Sequence, residues 1–348
     1  MQLATELAVS ELSAAELAAE STDNYVVSNK GESQETASKR LKLFRNGRLN
    51  PLNDYLFKQC FGTKECKVCL ISFLNAVLAD SLDEKITDVT IIDNLELPKE
   101  TIDGKFSRLD VRAKLPDGPQ INIEVQLLWD DMIPRSQYYN GRMYISGIDH
   151  GEHYNRLGKV ISINILKFDY LEYPEYHISS HFRVDQHPED ILSDRQEIHF
   201  IQLKKFYKSE EFDRNNPLHR WLRFFDWNLK EDSLKELIQM DTAIAAASEK
   251  AKKVAASEKE LHYYEALEDA RRDLASSLHY SEEMGYKRGM ERGLAKGEAK
   301  GEAMGEARGE ARLMALMNRL LQDNRMEDMQ KMIKQPELRN QFFQEYGL

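Results

Sequence analysis

The sequence has no apolar run approaching the roughly 18 residues that a membrane-spanning helix needs, so no membrane segment is expected. It also lacks the basic start and apolar centre of a secretory signal, because its first residues are acidic and rich in alanine. Cysteine is scarce. Cys60, Cys66 and Cys69 are the whole complement, crowded into one short segment. An odd number so placed argues against a disulfide framework and fits a reducing cytoplasm. Cys66 and Cys69 form a lone CxxC with no further Cys or His at zinc-site spacing nearby, so the thiols read as core side chains. Positive charge is short as well: 48 Lys and Arg against 59 Asp and Glu give a formal net charge of −11. Composition therefore does not advertise nucleic-acid binding, and any such surface has to be a local basic patch.

What is present is enough for one large domain or two ordinary ones, with 348 residues of which 41% are hydrophobic. Residues 1–50 read as a tail. Residues 2–20 suit an acidic helix, and 21–37 are polar without a period, as in disordered segments. Lys39, Arg40, Lys42, Arg45 and Arg48 form a small basic cluster that suits a solvated linker better than a phosphate contact. Pro51 opens the folded part. Asn53 or Asp54 can cap a helix through Tyr55, Leu56 and Phe57, which Gly62 interrupts, and a second helical pattern runs from Val68 to Leu78. The period then changes to alternation. Ile86–Leu97 reads as a strand, and Leu109, Val111, Ala113 and Leu115 give one apolar face with Asp110, Arg112 and Lys114 opposite. Pro116-Asp117-Gly118-Pro119 is turn chemistry, after which Ile121, Ile123, Val125 and Leu127 alternate with Asn122, Glu124 and Gln126. Residues 131–148 suit a helix, Val160–Phe168 a buried strand, Tyr176–Phe182 and Glu197–Leu203 weaker strands, and 217–283 helices. That order defines an α/β or α+β class with a mixed sheet.

The hairpin carries the sharpest chemical signal. Its two apolar faces must coincide, so even-numbered residues oppose even-numbered ones, and a loop centred on Asp117 sets Asp110 opposite Glu124. A slip of two residues sets it opposite Asn122 or Gln126 on the same face. Directly opposed side chains have Cβ atoms roughly 4.5–5.5 Å apart, and two carboxylates that close repel unless a cation lies between them. Mg²⁺ suits hard oxygen ligands of this kind. Gln126 can orient a water or a phosphate oxygen, but unlike lysine it brings no charge. The pattern alone equally fits a polar sheet face turned to solvent.

The blocks NDYLFK, the Phe61-Gly62 break with LISFLNAVL, RLDVRAKLPDG, INIEVQ, IPRSQYYNGRMYISGI, VISINILKF, EIHFIQLKKF and the Trp221 segment recur in order over about residues 51–310. Together they resemble the Rpn family of recombination-promoting nucleases and transposases, in the PD-(D/E)xK nuclease superfamily. The resemblance implies a restriction-endonuclease-like core with a mixed β-sheet flanked by helices, and divalent-dependent cleavage of DNA with Mg²⁺, or Mn²⁺ or Ca²⁺ in its place. It implies that Asp110 and Glu124 are the two metal-holding carboxylates and that Gln126 occupies the lysine position of the superfamily name. Asp54 matches an often acidic position and reads as a further ligand or simply as a helix cap. Arg135 matches a helix position from which a guanidinium can hold a phosphate, or it is an ordinary surface charge. Tyr138 and Tyr139 stand beside it, as core packing or as part of the site. A catalytically silent binding or assembly protein on the same fold is the alternative; a complete transposase lacks a visible DNA-reading domain.

Glycine recurs at every fourth position from Gly285 to Gly309, with Glu, Ala, Lys and Arg between. Four residues advance about 40° beyond one helical turn, so the glycines would wind as a stripe around a helix. Each costs about 1 kcal/mol against alanine. The repeat reads either as a helix that a partner helix approaches closely, favouring a homo-oligomer, or as a flexible linker. The expected division is a tail at 1–50, a nuclease-like domain at 51–230, a helical region with the glycine repeat at 231–311 and a small helical element at 312–348.

Overall fold

The computed structural model describes residues 42–92, 111–116, 118–209 and 212–348. Packed structure begins ahead of Pro51: Leu43 and Leu49 are buried, Arg48 donates to the carbonyls of Phe224 and Asp226, and Arg45 lies 4.3 Å over the Trp227 ring. Arg45 and Arg48 thus belong to the fold rather than to a solvated linker, because aromatic rings and carbonyl ends receive them.

Two helices open the core, α1 (Asp54–Phe61) and α2 (Lys67–Val77). Asn53 is the cap of α1; its Oδ1 accepts from the amides of Tyr55 and Leu56 at 3.0 and 3.3 Å. Asp54 is therefore the first helical residue and not the cap, placed where the helix dipole favours a negative charge. Six strands follow: β1 (Thr90–Ile92), β2 (Val111–Lys114), β3 (Gln120–Gln126), β4 (Val160–Leu166), β5 (His177–Val184) and β6 (His187–Gln202). They form one sheet in the order β1-β2-β3-β4-β6-β5. β3, β4 and β6 run parallel and the remaining pairs antiparallel, so the sheet is mixed as expected. Between β3 and β4 lies α3 (Met132–Ile145), the crossover that a parallel pair requires.

The odd-numbered face of the sheet is apolar. Val111, Ala113, Ile121, Ile123, Val125, Ile161, Ile163 and Ile165 pack in one core with Leu56, Phe57, Phe61, Phe73 and Trp221. The helices α4 (Leu203–Lys208), α5 (Pro217–Phe224), α6 (Glu231–Met240) and α7 (Thr242–Ala256) follow the sheet, and Trp221 on α5 is fully buried against Phe61 and Phe73. All three cysteines are buried and unbridged. α3 covers the even-numbered face, which is polar at Asn122, Glu124, Ser162 and Asn164 and apolar where Met132 packs on Leu166 and Phe200. On β6 the buried Glu197 and His199 are level with Ile161 and Ile163 of the other face.

The chain divides into two compact units between Arg272 and Asp273. A 65-residue helix, α8 (Glu258–Gln322), contains all of the glycine repeat, which is thus helical. A Cβ built at any glycine from Gly285 to Gly309 meets nothing within 4 Å. The second unit ends in α9 (Met326–Lys334) and α10 (Arg339–Glu345), where Leu316, Leu320 and Met332 form a small core with Phe342 and Phe343 around it. Among the described residues no helix is long and apolar enough to cross a membrane.

Trp221 also donates from Nε1 to Ser72 Oγ at 3.1 Å, so its loss removes both packing and a hydrogen bond. Trp221→Ala is expected to destabilise the first unit by about 3–5 kcal/mol, read as a lower urea midpoint in circular dichroism. A midpoint within error of wild type would contradict this account of the core.

Candidate active site

The register of β2 on β3 pairs Val111 with Ile123, Arg112 with Asn122, Ala113 with Ile121 and Lys114 with Gln120. This is the pairing that a loop centred on residue 117 demands. Asp110 itself lies outside the described residues. Glu124 and Gln126 share the even-numbered face of β3, and Glu124 is level with Asn164 of β4.

That face is not turned to solvent. α3 lies on it through a polar layer: Ser136 Oγ donates to Asn164 Oδ1 at 2.9 Å, and Asn140 Nδ2 donates to Ser162 Oγ at 3.1 Å. Gln196 Nε2 in turn donates to Asn140 Oδ1 at 3.0 Å. Ser136 and Asn140 are four residues apart on a helix, and Ser162 and Asn164 two apart on a strand. Both spacings put the pair on one face, so the sequence pattern carried a signal for this layer that went unrecognised.

Beneath α3, Glu124 is only 3% exposed. Its Oε1 accepts from Arg135 Nε at 2.6 Å, and Arg135 Nη1 also bonds Asp130 at 3.2 Å. The other oxygen, Oε2, is buried with no hydrogen-bond partner among the described residues. Burial pushes the carboxyl above its ordinary value; Arg135 draws it down, and Asp130 and Asp54 push it up again. Asp54, at the solvent-open start of α1, therefore stands within electrostatic reach of Glu124. Its own carboxyl is raised by the protein around it, with Lys58 and Arg271 opposing and Glu268 adding to the rise. Tyr139 is buried under Arg135, whose guanidinium is 5.5 Å from the ring centre, while Tyr138 is exposed beside Arg142. Gln126 is half-buried at the end of β3. The fold thus brings Glu124, Arg135 and Tyr139 together, with Gln126 on the same face of β3 as Glu124, while no contact among the described residues joins Asp54 to them. It adds Asp130, which sequence reasoning missed although the acidic Asp130-Asp131 pair was there to signal it.

A second buried carboxylate is better partnered, although its Oε2 likewise accepts no hydrogen bond among the described residues. Glu197 on β6 accepts from Ser81 Oγ and His199 Nε2, and its Oε2 faces Lys159 Nζ at 2.8 Å. Burial alone would raise it, yet those three partners hold it well below the usual carboxylate range. Glu124 has one guanidinium on its Oε1 and, among the described residues, no cation beside its Oε2. A hard oxygen donor that is buried and only half partnered, with a second carboxylate near it, fits a divalent cation. One cluster of three mutually close metal-ligand types occurs among the described residues, His187, Glu189 and Asp190 within 4.8 Å, all exposed at the start of β6. It is not part of this face.

A mixed sheet with a buried carboxylate on its central strand, a crossover helix over it and an ExQ pair on one face defines a restriction-endonuclease-like protein. The chain belongs to the PD-(D/E)XK nuclease family transposases, whose sequence pattern matches residues 51–281. No curated protein and no solved structure matches it.

The raised Glu124 carboxyl has a thermodynamic consequence. The folded chain holds that proton over a range where the unfolded chain has released it, so this group lowers stability as pH rises from 4.5 upward through its raised value. Glu124→Gln is expected to lessen that loss, so that in urea unfolding without metal the gap between variant and wild type moves in the variant's favour between pH 4 and pH 7. A gap that does not move with pH would contradict the raised carboxyl.

Proposed function

We propose that the protein is a divalent-metal-dependent DNA endonuclease of the recombination and transposition type, working in the reducing cytoplasm. The observation that carries this reading is the buried Oε2 of Glu124, which has no hydrogen-bond partner among the described residues. Asp110, the residue before β2, and Glu124 would hold Mg²⁺, or Mn²⁺ or Ca²⁺ in its place, with Asp54 as a further oxygen donor. Such an ion supplies positive charge against a phosphodiester and lowers the pKa of a water it binds. Gln126 orients the attacking water or a phosphate oxygen through its amide. Arg135 neutralises Glu124 when the site is at rest and turns its planar fork to the phosphate when DNA is bound. Tyr139 supports the guanidinium from beneath, which limits the directions it can take.

One observation favours a second reading, a catalytically silent assembly protein. The Arg135 guanidinium already occupies Oε1 of Glu124 at 2.6 Å and could stand permanently where an ion would. Metal titration separates the two, since only a working site binds Mn²⁺ and loses it in Glu124→Ala.

Purified protein is expected to nick or linearise plasmid DNA with Mg²⁺ and not with EDTA. Asp110→Ala and Glu124→Ala should each reduce the rate about a thousandfold, the scale of several kcal/mol of lost charge stabilisation. Cleavage by both folded variants at the wild-type rate would sink the assignment.

The second unit is proposed to self-associate through α8. Leu274, Leu278, Met290 and Leu294 are exposed along it, and the glycines beside them pack against nothing within 4 Å. Light scattering should report an oligomer that Leu278→Glu with Leu294→Glu reduces to a monomer. A monomeric wild-type chain would refute self-association.

A further inference from the structure

Between Gln126, the last residue of β3, and Met132, the first of α3, the chain turns through Leu127, Leu128, Trp129, Asp130 and Asp131. The turn is braced from two sides. Asp130 Oδ2 accepts from Arg135 Nη1 at 3.2 Å, and the same guanidinium holds Glu124. Asp131 Oδ1 accepts from the Tyr170 hydroxyl at 2.6 Å, and that hydroxyl accepts in turn from the amide of Ile133 at 2.8 Å. Tyr170 is itself anchored: its amide donates to Oε1 of the buried Gln202 at 2.8 Å, and its ring packs against Phe168 and Phe200. The Tyr170 side of the brace does not involve Arg135, so it stays when that guanidinium turns to a phosphate.

The side chain that this braced turn presents is Trp129, which is 67% exposed. Tryptophan is ordinarily well buried, because its large ring gains much by leaving water. The other two are used within the fold. Trp221 lies in the core, and Trp227 sits under the Arg45 guanidinium and donates from Nε1 to the Arg48 carbonyl at 2.9 Å. Ordering a backbone costs conformational entropy. Here the ordered segment carries a flat ring into water, next in sequence to the Asp130 carboxylate that shares a guanidinium with Glu124. A nucleobase matches such a ring. Every base has a flat face, so stacking tolerates any sequence, and it needs no positive charge from a chain whose net charge is −11. In an intact duplex both faces of a base are already stacked, and freeing one costs energy. An unpaired base largely escapes that cost.

We propose that Trp129 stacks on a nucleobase beside the phosphodiester held at Glu124, and that the preferred substrate is therefore DNA in which that base is unpaired. This role rests on the nuclease reading, since the strand at Glu124 is the source of the base. Trp129 acts on the choice and placement of the strand, not on the reacting atoms. An acidic protein thereby gains an attraction for DNA that does not depend on its overall charge.

The test is fluorescence anisotropy of full-length protein in EDTA with three labelled duplexes of equal length. One is fully matched, one carries a central thymine bubble, and one carries the same bubble made abasic, with its phosphates kept. Wild type is expected to bind the thymine bubble about tenfold more tightly than either of the others, the scale of stacking one base on an aromatic ring. Trp129→Ala should bring the three affinities together, while Trp129→Phe, which keeps a flat ring, retains most of the preference. Quenching of tryptophan emission by the thymine bubble should be seen in wild type and lost in Trp129→Phe. If Trp129→Ala does not fold by circular dichroism, the emission of Trp129→Phe decides. Equal affinity of wild type for the thymine and abasic bubbles, or a preference unchanged in Trp129→Ala, would overturn the stacking role, as would failure to bind any of the three. Plasmid cleavage by wild type with Mg²⁺ beside such a result leaves the nuclease standing. A preference that follows Trp129 in a protein that cleaves no DNA and binds no Mn²⁺ keeps the stacking residue and overturns the nuclease.

Discussion

The ion pair between Glu124 and Arg135 is the constraint on which the rest of the site depends. A carboxylate in the middle of a sheet and closed over by a helix needs positive charge beside it, or it stays protonated. The fold supplies that charge from the first turns of α3, the same helix that closes the face. Position and protonation are therefore coupled. If α3 shifts on the polar layer of Ser136, Asn140, Ser162 and Asn164, the guanidinium moves with it and the carboxyl titrates differently. The layer matters for that reason: hydrogen bonds at 2.9 and 3.1 Å fix the register of α3 more strictly than apolar side chains of similar size would.

The two faces of one sheet show the division of labour. The odd-numbered face carries isoleucine and valine, gathers the aromatic cluster around Trp221 and supplies the cohesion of the first unit. The even-numbered face gives up part of that cohesion. It buries Glu124, Asn122 and Arg112 with atoms that have no partner among the described residues, each a group that folding alone would avoid. Glu197, with Ser81 and His199 on its Oε1 and Lys159 2.8 Å from its Oε2, has more partners around it than Glu124 does.

Much of this was legible in the sequence, for definite reasons. The alternation from Val111 to Leu115 and from Ile121 to Leu127, with a Pro-Asp-Gly-Pro turn between, leaves little choice of register, and the observed pairing of Val111 with Ile123 follows from it. Glu124 and Gln126 on one face follow from period two. The covering of that face did not follow, because polar residues at alternate positions look the same under a helix as under water. Only the matching polar stripe on α3 separates those cases, and it takes two elements read together. The cap of α1 was ambiguous between Asn53 and Asp54 because both side chains accept from a first turn; partners from far along the chain resolve it. The helical state of the glycine repeat was likewise undecided, since propensity opposes it while the alanine and glutamate between the glycines favour it.

Those distant partners have a bearing on how the protein is made. Asn53, which caps α1 beside Asp54, also donates to Glu268 at 2.9 Å, and the amide of Asn50 donates to the Tyr264 hydroxyl at 2.9 Å. The start of α1 is thus held by residues more than two hundred positions later. On a ribosome, where earlier segments emerge first, the sheet and its carboxylate can form while the anchor for Asp54 is still untranslated. A chain not yet extended to Glu268 would carry Glu124 without that anchor, so a cell making this protein would meet the completed arrangement only once that residue has been translated.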